Sequence, residues 1–227
     1  MLQTKQCGLS GQAIVVGHDW GAQHLCLFRP DRVKALVNLS VPYWPRSPNI
    51  KPIKAITEIF GEGFYTSQFH EREEKKNHFS KYDSLTILKK FLFINAPDHL
   101  LADPPGVEII DFLETPPSLP QENLEFHASK FQKSGFTAAL NYYNAMDMNW
   151  ELLGPWQGAR ITITTKFITG GFHLSGTKDY YVEGEEFRSL VTYLEVVVID
   201  GHHFIQQEKL NKLPLKSYPF SARKSRV

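Results

Sequence analysis

Cysteine is scarce in this 227-residue chain: Cys7 and Cys26 are the only two, too few for a disulfide framework and without metal-ligand spacing. A reducing compartment is the expectation, with both thiols buried or inert. A dominant charge is also lacking, since 25 Lys and Arg face 24 Asp and Glu, for a formal net charge of +1. Binding a phosphate backbone needs a sustained basic field, so no nucleic-acid partner is expected. No apolar run reaches the roughly 18 residues of a membrane span, and the start of the chain lacks the basic residues and long apolar stretch of a secretory signal. The chain therefore reads as soluble and cytoplasmic. Its last residues, Ser225-Arg226-Val227, differ at two of three positions from the Ser-Lys-Leu peroxisomal address, which leaves the peroxisome as the alternative.

What is present is the composition of an ordinary globular protein, 42% hydrophobic and 22% charged. Four short runs rich in β-branched residues, 13–16, 33–39, 164–169 and 195–199, read as strands buried on both faces. Helical segments are expected at 22–28, closed by Arg29-Pro30, and at 180–193. That alternation predicts an α/β fold with a parallel sheet. Between the second and third strands lies a long insertion rich in aromatics, entered through a Pro-studded segment from Val41 to Pro48. It reads as a helical cap, with helices at 81–94 (Leu85, Leu88, Phe91, Leu92) and 121–133 (Leu124, Phe126, Phe131), the latter stopped by Ser134-Gly135. The stretch 97–120 reads as irregular loop on account of its prolines, and the charge run 71–76 as a solvated helix face. The expected organisation is core at 1–42, cap at 43–158, core again at 159–208 and a divergent tail at 209–227.

The most informative passage runs from Ala13 to Ala22, where a buried strand leads through Gly17-His18-Asp19-Trp20-Gly21 into a helix. In a sharp strand-to-helix turn the flanking positions must be glycine, because neighbouring backbone approaches too closely for a side chain. The central side chain is thrust outward. A serine there would point to an esterase; Asp19 instead can attack carbon by displacement and form an ester that water later cleaves. Taken alone, the same five residues also fit a turn whose Asp caps the next helix.

Val16-Gly17-His18-Asp19-Trp20-Gly21-Ala22 and the following Phe28 to Leu39 resemble the soluble epoxide hydrolases, especially those of plants. Similarity continues through Lys133 to Thr137, Asn141-Tyr142-Tyr143, Asn149-Trp150-Glu151 and Glu195 to Glu208. The resemblance implies the C-terminal part of an α/β-hydrolase sheet with an inserted helical cap. It also implies Asp19 as nucleophile, His203 as the base that activates water, Tyr65 and Tyr143 as donors to the epoxide oxygen, and the Trp20 backbone N–H as half of an oxyanion hole. The substrates would be a small-molecule epoxide, of lipid origin, and water, with no cofactor and no metal. His18 and His202 are expected to be non-catalytic; a metal site at the His202-His203 pair lacks further ligands at suitable spacing. A homo-oligomer is compatible with the sequence.

The chain departs from the family pattern in four places. Ahead of the elbow the family carries about four strands and a His-Gly-X-Pro loop, which this sequence does not contain, so the chain reads as truncated at its N-terminus and the elbow strand as an uncovered edge. The elbow helix looks about one turn short. Phe172-His173 stands where the family has the acid that orients the histidine, with Asp179 or Asp200 as possible substitutes, and the tail beyond Lys209 does not read as a packed helix. The predicted function is thus an epoxide hydrolase of impaired turnover. Its alternatives are a haloalkane dehalogenase, which uses the same nucleophile, and a non-catalytic form that pairs its open edge with a partner.

Overall fold

A computed structural model describes residues 3–6, 11–70, 79–92, 109–112, 121–171, 184–209, 211 and 213. The chain divides into two compact units, one formed by Met1–Pro45 with Gly158–Val227, the other by Arg46–Gln157.

The first unit is built on a five-stranded sheet in the order β1-β2-β3-β4-β5: β1 Gln3–Gln6, β2 Ala13–His18, β3 Val33–Leu39, β4 Thr165–Gly170 and β5 Leu194–Ile199. β2 to β5 run parallel, while β1 is antiparallel to β2. The expected uncovered edge on β2 is thereby corrected: Gln3 to Gln6 pair with Val16 to Ala13 and satisfy backbone groups that would otherwise face water. The polar sequence Gln-Thr-Lys-Gln carries no apolar alternation, and only its pairing makes it a strand.

The near-continuous apolarity of β3 places side chains in two cores. On one face Leu36 packs with Val15, Ala22, Cys26, Phe167, Phe187 and Val191; on the other, Val37 and Leu39 pack with Ile168, Ile205 and Leu213. Each of the Val, Leu, Ile and Phe side chains among them contributes about 1.5–3 kcal/mol on withdrawal from water. β5 departs from the expected two-sided burial and is only half-buried, because among the described residues it is the last strand of the sheet. The helix expected at 180–193 is Glu185–Leu190 among the described residues; Val191 bridges to Ile161 instead, and the Thr192 N–H donates to the Ile161 carbonyl at 3.0 Å, as suits β-branched residues. Leu213 in the tail is 6% exposed, so part of that segment packs on the core.

The second unit is helical: Pro52–Phe60, Tyr65–His70, Ser84–Leu92, Ile109–Phe112, Gln121–Ser134, Thr137–Asn144 and Met146–Leu152. Pro52 occupies the first turn of its helix, where a missing N–H costs nothing. Leu85, Leu88 and Leu92 meet Leu124, Ala128 and Phe131, the faces read from helical spacing. Phe126, expected beside them, is instead exposed; two positions from Leu124 is too far around the helix to share its face. The Pro-rich stretch is not loop throughout, since Ile109–Phe112 is helical with Ile110 wholly buried and held by Lys90 Nζ donating to its carbonyl at 2.6 Å. Arg46 and Gln157 close the unit: Arg46 Nε donates to the Trp150 carbonyl at 2.7 Å, its guanidinium lies 3.7 Å from the Trp150 ring centre, and Gln157 Nε2 donates to the Arg46 carbonyl at 2.9 Å. The charge run 71–76 lies outside the described residues. Among those described, no helix is long and apolar enough to cross a membrane.

Candidate active site

β2 ends at His18, and the chain turns so sharply that Asp19 takes φ +59°. A non-glycine residue there bears roughly 1–3 kcal/mol of strain, and Asp tolerates it better than most. The turn is held by the Asp19 N–H donating to the Leu39 carbonyl at 3.0 Å and the Gly21 N–H to that of His18 at 3.2 Å. The flanking glycines are sterically required: a Cβ on Gly17 would sit 2.3 Å from that of Ala22, and one on Gly21 3.0 Å from the His18 carbonyl oxygen. Asp19 does not cap the helix Gln23–Phe28, whose N-cap is Ala22 with no side-chain capping bond. Behind the turn the buried Gln23 amide donates to the carbonyls of Asp19, Val41 and Pro42, a brace that sequence reading missed.

His203 follows β5 and brings its Nε2 to 3.5 Å from Asp19 Oδ2, with the two side chains 20% and 41% exposed. That separation is an ion-pair contact and longer than an ordinary hydrogen bond. Burial raises the affinity of the Asp19 carboxyl for a proton. The hydrogen-bonding and charge interactions with His203, the charge of His18 and the Trp20 backbone N–H outweigh it, holding the pKa below the usual value.

The histidine loop is fixed from three strand ends. His18 Nε2 donates to the His203 carbonyl at 3.0 Å, and its ring stacks on Phe204 with centroids 5.3 Å apart. Ser40, just past β3, donates its hydroxyl to the same carbonyl. At the end of β4, Gly170 lets the loop pass so closely that a Cβ there would lie 2.2 Å from the Gly201 carbonyl oxygen. Neither Ser40 nor Gly170 stands out in the sequence; the Gly170-Gly171 pair closing a strand is the available signal for the second.

The neighbours of His203 point elsewhere. His202 Nδ1 is 3.1 Å from Glu208 Oε2. The Asp200 carboxylate is 3.6 Å from Lys209 Nζ. Phe172-His173 and Asp179 lie outside the described residues.

Tyr65 and Tyr143 belong to the helical unit. Tyr65 opens the helix Tyr65–His70 and Tyr143 lies in Thr137–Asn144, their ring centroids 6.0 Å apart at 86°, with Phe69 packed edge-on against both. Tyr142 is 53% exposed. The packing thus separates two adjacent tyrosines that sequence reading distinguished only through resemblance.

No family model matches the chain. Individual relatives do. Epoxide hydrolase 2 of Siraitia grosvenorii is 42% identical over 222 residues, covering 92% of this chain and 69% of its own length. Epoxide hydrolase A of Mycobacterium tuberculosis is 31% identical over 218 residues, covering 87% of this chain and 65% of its own. Among solved structures, that of potato (Solanum tuberosum) epoxide hydrolase I is 40% identical with a TM-score of 0.79, covering 89% of this chain and 67% of that one. A Vigna radiata epoxide hydrolase mutant is 36% identical with a TM-score of 0.81, covering 88% and 67%.

Proposed function

The chain belongs to the epoxide hydrolase family, with the α/β-hydrolase fold of its relatives, and from that premise we propose that it opens lipid-derived epoxides to vicinal diols in two steps. In the first, a carboxylate oxygen of Asp19 attacks a ring carbon. The carbon–oxygen bond of the ring breaks, its electron pair passes to the ring oxygen, and a phenol proton from Tyr65 or Tyr143 neutralises the alkoxide. The product is a hydroxyalkyl ester of Asp19. In the second, a water molecule loses a proton to His203 and adds to the ester carbonyl, the Trp20 N–H donating to the oxyanion. Collapse of that intermediate breaks the ester bond, imidazolium returns its proton to the departing diol oxygen, and the proton left on the Asp19 carboxyl passes through water to the phenolate, restoring both groups. The two phenols lie in the unit Arg46–Gln157.

One observation carries this reading: a carboxylate on a strained elbow, ionised by its surroundings, with an imidazole at 3.5 Å. Because Phe172-His173 occupies the acid's place in sequence, the second step is the slower one and the ester accumulates. Incubation with 9,10-epoxystearate should give a mass increase equal to one epoxide, located on the peptide bearing Asp19, together with slow diol formation. Asp19→Asn should show neither. Wild-type protein with no adduct and no diol would overturn the reading, and halide release from a haloalkane under the same conditions would replace it with the dehalogenase. The partner-seeking alternative loses its main argument, because β1 occupies the edge on which it depended.

A further inference from the structure

Asp19 and Ser40 are the only non-glycine residues with positive φ among those described, at +59° and +71°. They follow adjacent parallel strands, β2 and β3, at the same end of the sheet. The strain at Asp19 is explained by the elbow. At Ser40 it is not, since a glycine would take the same conformation without cost. What glycine lacks is the hydroxyl.

We infer that Ser40 is a positioning residue for the step that releases the diol: its hydroxyl, donating to the main-chain carbonyl of His203, fixes the loop from which that imidazole reaches the ester. The inference rests on the two-step reading above. Ser40 is fully buried, and its own backbone is pinned to β4 by its N–H donating to the Ile168 carbonyl at 2.8 Å and by Thr169 Oγ1 donating to its carbonyl at 3.3 Å. The hydroxyl is therefore set on a rigid base. The His203 carbonyl has two lone pairs, and the structure fills them with the Ser40 hydroxyl and with His18 Nε2. A carbonyl held from two strand ends restrains the backbone from which the ring is carried, and the ring itself packs against His18 at 4.7 Å between centroids. Hydrolysis of an ester is sensitive to such placement, where a shift of about 1 Å can cost on the order of a hundredfold in rate.

The test uses the full chain and two substitutions. Ser40→Gly removes the donor and relieves the strain; Ser40→Ala removes the donor and keeps it. After reaction with 9,10-epoxystearate and removal of excess reagent, adduct formation and adduct decay are followed by intact mass. Both variants should form adduct within about twofold of the wild-type rate and lose it at least about tenfold more slowly, with Ser40→Gly unfolding at the wild-type temperature or above. A purely structural serine would give the opposite pattern, a shifted unfolding temperature with decay unchanged. In parallel, the imidazole nitrogens are observed by NMR in 15N-histidine protein, the His203 signals being identified by their loss in His203→Gln. These should move in both Ser40 variants while those of exposed His127 stay. This measurement needs no turnover, so it decides the inference where the wild-type protein forms no adduct or never releases it. Stationary His203 signals, or decay at the wild-type rate, overturn the role of Ser40; absence of any wild-type adduct overturns the two-step reading instead.

Discussion

Burial and charge act against each other on the Asp19 carboxyl. Burial alone would raise its pKa, but interactions with His203, His18 and the Trp20 N–H bring it below the ordinary 3.8. Since the folded pKa is depressed, the ionised form favours the folded state above the unfolded pKa, and that contribution is lost as pH falls through the folded value. With the side chain 41% exposed, solvent screens the effect and its share of stability is small. Under the proposed mechanism its share of reactivity is not, because a carboxylate that attacks the epoxide needs no prior deprotonation. Adduct formation should therefore be flat from about pH 5 upward. In His203→Gln the main lowering influences go and burial remains, so the acid limb should move to higher pH, measured as adduct rate between about pH 3.5 and 7. Coincident limbs in the two proteins would count against the pairing. The tight turn at Asp19 was legible in the sequence because a buried strand and two glycines frame it within a few residues. Ser40 was not: a serine after a strand reads as any turn residue, and neither its φ nor its distant carbonyl partner leaves a local mark.

Elements meet the site where their ends come too close for side chains. β4 stops at Gly170 against the backbone of Gly201 and His202, with a hypothetical Cβ only 2.2 Å from the Gly201 carbonyl oxygen. Those neighbours are main chain, so they cannot rotate away, and Gly170→Ala must displace the histidine loop. The expected result is a destabilisation of about 1–3 kcal/mol together with adduct decay slower by on the order of a hundredfold, read from thermal unfolding and from intact mass. Normal decay in a folded Gly170→Ala protein would show that the loop has room to spare. The strands β2 to β4 were readable because each is a compact run rich in β-branched residues. β1 was not, since its residues are polar and gain their conformation from β2 alone. Ile109–Phe112 was hidden in a similar way: the surrounding prolines argue for loop, and burial of Ile110 with the Lys90 and Tyr82 contacts to Ile110 and Asp111 overrides them.

The sheet-bearing unit is assembled from both ends of the chain, with Arg46–Gln157 inserted between. The α/β class was legible in the sequence from the rhythm of strands and helices. The packing of distant segments was not, because it pairs residues more than a hundred positions apart, such as Leu36 with Phe167 and Phe187. That layer contains a natural reporter. Cys26 is 3% exposed, and burial pushes its thiol up to about 12, so the thiolate that alkylating reagents require is nearly absent in the folded unit at neutral pH. Reaction of Cys26 with N-ethylmaleimide must then proceed through opening of the layer that covers it, which includes wholly buried Leu36. Leu36→Ala should cost about 2–5 kcal/mol through lost transfer energy and the cavity left behind. Where closing is faster than alkylation, the labelling rate follows the open population. Cys26 should accordingly label about thirty- to several-thousandfold faster in Leu36→Ala, quantified on its own peptide so that Cys7 does not contribute. A labelling rate equal to that of the wild type would mean that Cys26 is reached without disrupting the core around Leu36.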